Sequence, residues 1–308
     1  MSSPSTPMSG FESQPLAPAV ISPHRILYWS IRRELWEHRS IYVAPLIVAG
    51  LILLGFLIGS SHMVANVRSA QSLGTMQLQE AIERPFSLAA MFLMGIGFVV
   101  SIFYCVEALH GERRDRSILF WKSLPLSDLT VVLSKMMIPL LVVPLITVAL
   151  TVVTQMLMLL LDLVILQVSG LSLTLLWTNL SLSTMWMMML YHMLALHGLW
   201  FAPAYAWMLL ASAWARRAAF LWAVLPPVAI GVLEKIAFNT AYFPHWMQYR
   251  FGGAPGSEAY PGNDHAMHAW AHLNIVRFLL SADLWSGLAV AALFLFVAAR
   301  VRRNRGPL

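Results

Sequence analysis

His265, His268 and His272 fall at i, i+3 and i+7 beside Asp264, so a helix through them would set three imidazoles on one face. Imidazoles in that array can take zinc or copper. Three of them spread over two turns rarely close around one ion without a further ligand, however, and His245 is the nearest reserve. Exposed interfacial histidines are therefore the default reading, with no metal site assigned. A second set is Glu112, Arg113, Arg114, Asp115 and Arg116, followed directly by Ile118, Leu119, Phe120 and Trp121. Charges that set register next to an apolar anchor belong to docking on a partner surface rather than to bond-making. The blander reading places the apolar four among lipid headgroups. Further on, Thr147, Thr151 and Thr154 share one helical face with Gln155 beside them. Polar groups inside a membrane bond a neighbouring helix or line a wet path; threonine tends toward the first, and Thr151 and Gln155 are the path candidates. Gly55 and Gly59 form a Gly-x-x-x-Gly pair, which permits close approach of another helix of this chain or of a second subunit. No Gly-x-x-x-x-Gly-Lys-Ser/Thr phosphate loop occurs, so ATP chemistry is not expected on this chain, and no catalytic residue is assigned.

The elements that must carry these residues follow from composition. With 59% apolar and 11% charged residues, the chain lies far from the roughly 45–50% and about 25% of soluble domains. It reads as an all-α integral membrane protein. The net charge of +6 reflects where basic residues sit relative to the bilayer and does not argue for nucleic acid. Cys105 is the single cysteine, which excludes intrachain disulfides and cysteine-based metal clusters.

A hydrocarbon core of about 30 Å takes roughly 20 apolar residues per helix. Six segments qualify: Ile41 to Gly59, Phe86 to Val106, Val131 to Leu161, Met185 to Ala213, Ala218 to Ala237 and Leu279 to Ala299. The third is long enough to tilt or project, and Pro139 and Pro144 favour a bend in it. The stretch Leu163 to Trp177, short and interrupted by Gly170, is not counted as a seventh span. With six spans and both termini in the cytoplasm, only Arg68, Arg84, Lys235, Arg250 and Arg277 of the 20 basic residues lie outside. That asymmetry sets the expected orientation.

Residues 1–22 are Ser- and Pro-rich and read as a disordered cytoplasmic tail rather than a signal peptide. Residues 23–40 read as an amphipathic helix lying on the inner leaflet, with Leu27, Tyr28, Ile31 and Leu35 at helical spacing and Trp29 and Trp36 at headgroup depth. The transmembrane domain covers 41–299, with a cytoplasmic loop over 107–130, an outer loop over 238–278 and a basic tail over 300–308. Breakers in the outer loop leave two helical candidates, Thr240 to Gln248 and Asp264 to Arg277, which lie in the interface or dip back as a cap. The ionisable Glu107 and Glu234 near span ends need no function of their own, although Glu107 is placed to orient the loop through Arg113 or Arg114.

The stretch ERRDRSILFWKSLPLSDLTVVLSK, with Glu112, Ser117, Ile118, Leu124, Pro125, Ser127 and Lys135 at matching places, resembles the ABC-2 type permease family, the membrane subunits of ATP-driven exporters. Arg116 and Ser134 stand where that family often has glycine. The close match covers about two dozen residues, and the span order with its amphipathic entry helix extends a looser likeness along the chain. The resemblance implies a six-helix subunit of a bacterial inner membrane exporter, paired with an identical or related permease. A separate ATPase subunit would hold ATP and magnesium and push on the loop; this chain itself would bind no cofactor. A non-transporting regulator built on the same scaffold is the alternative, distinguished by ATPase coupling without flux. A membrane metal hydrolase would need the fourth-span and outer-loop histidines to converge at one depth.

Overall fold

A computed structural model describes residues 23–123, 127–170, 172, 174–252 and 275–305, and among these every regular element is helical. Helix α1 (Pro23–Glu37) is followed by α2 (Ser40–Leu73) and α3 (Thr75–Arg114). A short α4 (Ile118–Ser123) leads to α5 (Asp128–Met137), which continues through a π-turn at Ile138–Val142 into α6 (Val143–Val168). Then come α7 (Thr174–Asn179), α8 (Leu182–Tyr191), a π-helical segment His192–Trp200, α9 (Ala202–Trp214) and α10 (Ala219–Phe238). The chain closes with α11 (Tyr242–Gly252), α12 (Ile275–Leu279) and α13 (Ala282–Asn304).

Five segments are long and apolar enough to cross a bilayer: Ser40–Ser60, Thr75–Arg114, Asp128–Val168, Ala219–Phe238 and Ala282–Asn304. Counted as one span, the pair Leu176–Trp200 and Ala202–Trp214, bent by 49°, makes a sixth. This is a multi-pass all-α membrane protein. Over Leu163 to Trp177 the helix breaks: α6 ends at Val168, Gly170 takes a φ of 68°, and α7 has only 6 residues.

The long apolar helices exceed what a bilayer needs. At 40 residues, α3 is about 60 Å long, twice a ~30 Å hydrocarbon core. The excess of α2, α3 and α6 extends together, held by a small cluster of Val67, Leu78, Ile82, Leu166 and Leu176. The main core lies further down and is built on Tyr104, Leu109, Val132, Trp200, Tyr205, Leu209 and Ala298, among others, all buried.

The bend in the sixth span has a local cause. Pro203, at the start of α9, has no N–H to continue the preceding helix, and the π-segment before it has already widened the turn. The π-turn of the third span carries Pro139 for the same reason. The two irregular segments meet where a Cβ at Gly198 would lie 3.0 Å from the Leu140 carbonyl oxygen, so glycine is what permits this approach.

After α10 the chain folds back. Glu234, near the end of α10, accepts from the main-chain N–H groups of Tyr242 at 2.6 Å and Phe243 at 2.8 Å and from the Thr240 hydroxyl at 2.8 Å. It thus caps α11, which turns back along α10 until Pro244 rests against Gly231. Glu234, which needed no role on sequence grounds, holds this reversal. Of the second helical candidate only its end is described, as α12; His265, His268 and His272 lie outside the described residues.

Candidate functional site: the charged elbow and its buried network

Helix α3 ends at Asp115, whose N–H bonds the Gly111 carbonyl, and the chain turns through Arg116 at a φ of 59°. This left-handed conformation costs a side-chain-bearing residue roughly 1–2 kcal/mol. It also explains why Arg116 occupies a place suited to glycine. The elbow resumes as α4, and Ser127 caps α5 by accepting from Thr130 N–H at 3.1 Å.

The elbow does not present all its charges to the outside, and here the docking surface read from sequence must be corrected. Glu112, Arg113 and Ile118 are buried. Arg113 donates to the carbonyls of Ala213 at 2.9 Å and Ala215 at 3.0 Å, closing the end of α9. Ser212 accepts from the N–H groups of Leu109 and His110 at 3.1 and 2.8 Å, so α3 and α9 are clamped at this level. The face left outward consists of Arg114, Asp115 and Arg116 with Leu119, which is 55% exposed. The side chains of Phe120 and Trp121, with residues 124–126, lie outside the described set. Arg114 pairs with Glu107 at 2.9 Å, the orienting contact anticipated for Glu107, and with Asp115 at 3.1 Å.

Beneath this face runs a chain of alternating charges. Tyr104 donates to Glu34 Oε2 at 2.8 Å, and Lys135 Nζ reaches Glu34 Oε1 at 2.7 Å and Glu112 Oε1 at 3.1 Å. Arg302 Nη2 bonds Glu112 Oε2 at 3.3 Å and its Nη1 bonds Asp128. Glu34, Glu112, Lys135 and Arg302 are buried, with Lys135 fully so. The series joins α1, α3, α5 and α13 at one end of the bundle, hereafter the basic end. Lys122 of α4 adds a bond to the Arg305 carbonyl at 3.1 Å, tying the elbow to the end of α13.

Charges removed from water are tolerated only when each finds an opposite partner and further hydrogen bonds. The effect reads out on Glu34: burial pushes its carboxyl up, but the Lys135 ammonium and the Tyr104 hydroxyl outweigh this and hold it below the usual carboxylate range. Burial likewise holds the His38 imidazole below its usual value, against the pull of Glu34 at 3.7 Å.

Glu34 and Arg302 carried no signal as site residues, and Lys135 appeared only as the end of a motif. One clue was available for Glu34: it lies seven residues after Leu27 and three after Ile31, on the apolar face of α1, where an unpaired carboxylate would be costly. The pairings themselves span 101 residues for Lys135 with Glu34 and 190 for Arg302 with Glu112, and nothing local encodes them.

The remaining candidates take structural places. Thr151 donates to its own helix at Thr147 O, 2.9 Å away. Gln155 is engaged through both amide atoms: it donates to Phe86 O at 2.9 Å and accepts from Trp186 Nε1 at 2.7 Å, clasping α3, α6 and α8. Both are buried, so in the single chain they serve helix bonding rather than an open path. Gly55 and Gly59 have no atom within 4 Å of an added Cβ, and they lie on an exposed face of α2 with Leu51, Leu54 and Ile58. Among the described residues nothing packs against that face at the two glycines. Among the described residues no group of His, Cys, Asp and Glu is placed to hold a metal. Comparison with protein-family models, with curated proteins and with solved structures gives no match.

Proposed function

We propose that this chain is the membrane subunit of an ATP-driven exporter of the ABC-2 type, with the elbow receiving work from a separate ATPase subunit that binds ATP and magnesium. The single observation that carries the reading is Glu112 bonded to both Lys135 and Arg302. The two ends of the family-like motif, Glu112 and Lys135, meet in space, and the last span is fastened to the same carboxylate. A push on the outward face of Arg114, Asp115, Arg116 and Leu119 would then move α1, α3, α5 and α13 as one body, which is what a transmission element requires.

On this reading the basic end faces the cytoplasm of a bacterial cell, α1 lies on the inner leaflet, and the exposed Gly55 and Gly59 face of α2 is where a second permease, identical or related, would pack. Arg32 stacks its guanidinium over Trp29 at 5.1 Å and Trp36 at 5.2 Å, both exposed, as suits a helix at headgroup depth.

The test is a Phe120→Ala, Trp121→Ala double variant reconstituted with the ATPase. The expected result is an assembled complex or a weakened one whose transport-stimulated ATPase activity falls by about tenfold or more, the scale of losing a buried aromatic anchor. Normal assembly with normal stimulation would remove the coupling role. Coupled ATPase without flux into vesicles would assign the chain to the regulator class instead.

A further inference from the structure

Between the base of α2, α3 and the start of α10 lies a cavity of about 540 Å³, lined by His38, Phe103, Glu107, His110, Arg114 and the first residues of α10. It adjoins the charge network through Tyr104 and His38, which line it and both face Glu34. Three independent features point to the same occupant. His110 is only 9% exposed, lines the cavity and has no partner on either ring nitrogen. A buried imidazole left without partners costs free energy that an anion at the site would recover. Next, the residue before α10, Ala218, lies in the left-handed region with a φ of 50° and no side chain able to cap the helix. Ala218, Ala219 and Phe220 line the cavity, so the uncapped start of this 20-residue helix, the positive end of its dipole, lies at the cavity wall. Finally, the entrance is apolar: Phe103 and Phe220 stack with ring centres 6.2 Å apart and remain largely exposed on the span surface.

We infer that this cavity holds the phosphodiester of a membrane phospholipid, with His110 and the start of α10 on the phosphate and an acyl chain along Phe103 and Phe220. Arg114 contributes its charge but is already bonded to Glu107 at 2.9 Å. That carboxylate lowers the positive charge the site can offer, so a singly charged diester fits better than a doubly charged monoester. The exposed Arg216 and Arg217 directly precede α10 and draw anionic headgroups to this depth. Free phosphate shares the headgroup's chemistry, but it would leave the aromatic entrance without a purpose. The site does not depend on the exporter reading and would serve any protein of this fold.

The test uses the full chain in detergent, stripped of lipid and titrated with dihexanoyl phosphatidylglycerol or with inorganic phosphate. Binding is read from the thermal unfolding midpoint and from native mass spectrometry. The expected result is saturable binding of the lipid that weakens by about tenfold in His110→Ala, the scale of a lost charge-assisted hydrogen bond, and by severalfold in Phe103→Ala, with phosphate binding much more weakly. Should His110→Ala fail to fold, Phe103→Ala alone decides. Equal lipid affinity in the wild type and the folded variants overturns the proposal. Phosphate binding as tightly as the lipid overturns the lipid assignment.

Discussion

The two ends of this bundle each bury an arginine, and they stabilise it by opposite means. At the basic end, Arg302 sits in a series of carboxylates and cations contributed by four helices. At the far end, Arg250 of the re-entrant α11 lies over the Trp200 ring at 3.9 Å and donates to the main-chain carbonyl of Asp283 at 3.0 Å. The Trp200 indole returns a bond to the Arg250 carbonyl at 2.8 Å, and Tyr249 bonds the Asp283 carboxylate at 3.0 Å. Among the described residues no carboxylate bonds the Arg250 guanidinium, and burial lowers its proton affinity despite the nearby Asp283 charge. The basic end is specified by complementary charge and so links elements as a unit. The far end is specified by shape, an aromatic face and close backbone approach.

The strongest way to break that contrast is Glu112→Gln. It withdraws the shared carboxylate charge from Lys135 and Arg302, which keep Glu34 and Asp128 as partners, so the cost is that of weakening two buried charge-assisted hydrogen bonds, about 1.5–3 kcal/mol each; chemical or thermal unfolding in detergent should show a loss on that scale. Gly287→Ala probes the far end. A Cβ there would overlap the Arg250 guanidinium, and overpacking of this kind costs about 1–3 kcal/mol. The variant should loosen α11, seen as faster amide exchange over Tyr242–Gly252, while α1 and α5 keep their protection. Equal loosening of both ends would mean that they form one cooperative unit rather than two.

Arg116→Gly should act the other way and stabilise the chain by about 1 kcal/mol, because glycine takes the left-handed turn without a Cβ penalty. If the turn is instead stabilised by its arginine, the unfolding midpoint will fall. The smallest effect is that of pH. His38 is held below its ordinary value, so on acidification the unfolded chain takes up that proton before the folded one, and stability should begin to fall as pH drops through about 6.5. The depressed Glu34 carboxyl contributes stability that is present above its unfolded value and is lost as pH falls through its lower folded value. Midpoints measured against pH should therefore decline in two steps, and His38→Gln should remove the first.

Much of the fold was legible in the chain. The five long apolar helices, the helix over residues 23–37 and the break after α10 all follow from hydropathy, helical spacing and breakers, which act over one or two turns. The elbow was legible as a place but not as a surface. Arg113 and Glu112 read as exposed charges in a loop, yet α3 continues helically through Arg114, and that extra turn rotates both inward against α9 and α5. Gln155 read as a path residue because polarity within an apolar run does not say which neighbour will meet it; Phe86 and Trp186 do.

The sequence by itself determined that this is a membrane-spanning helical chain, where its spans lie and which segment between the second and third spans carries unusual charge, because hydrophobic burial and helix periodicity are local properties. Only the tertiary structure decided which of those charges are partners. Glu34, Glu112, Lys135 and Arg302 come from distant parts of the chain, and each tolerates burial solely because the others arrive at the same place.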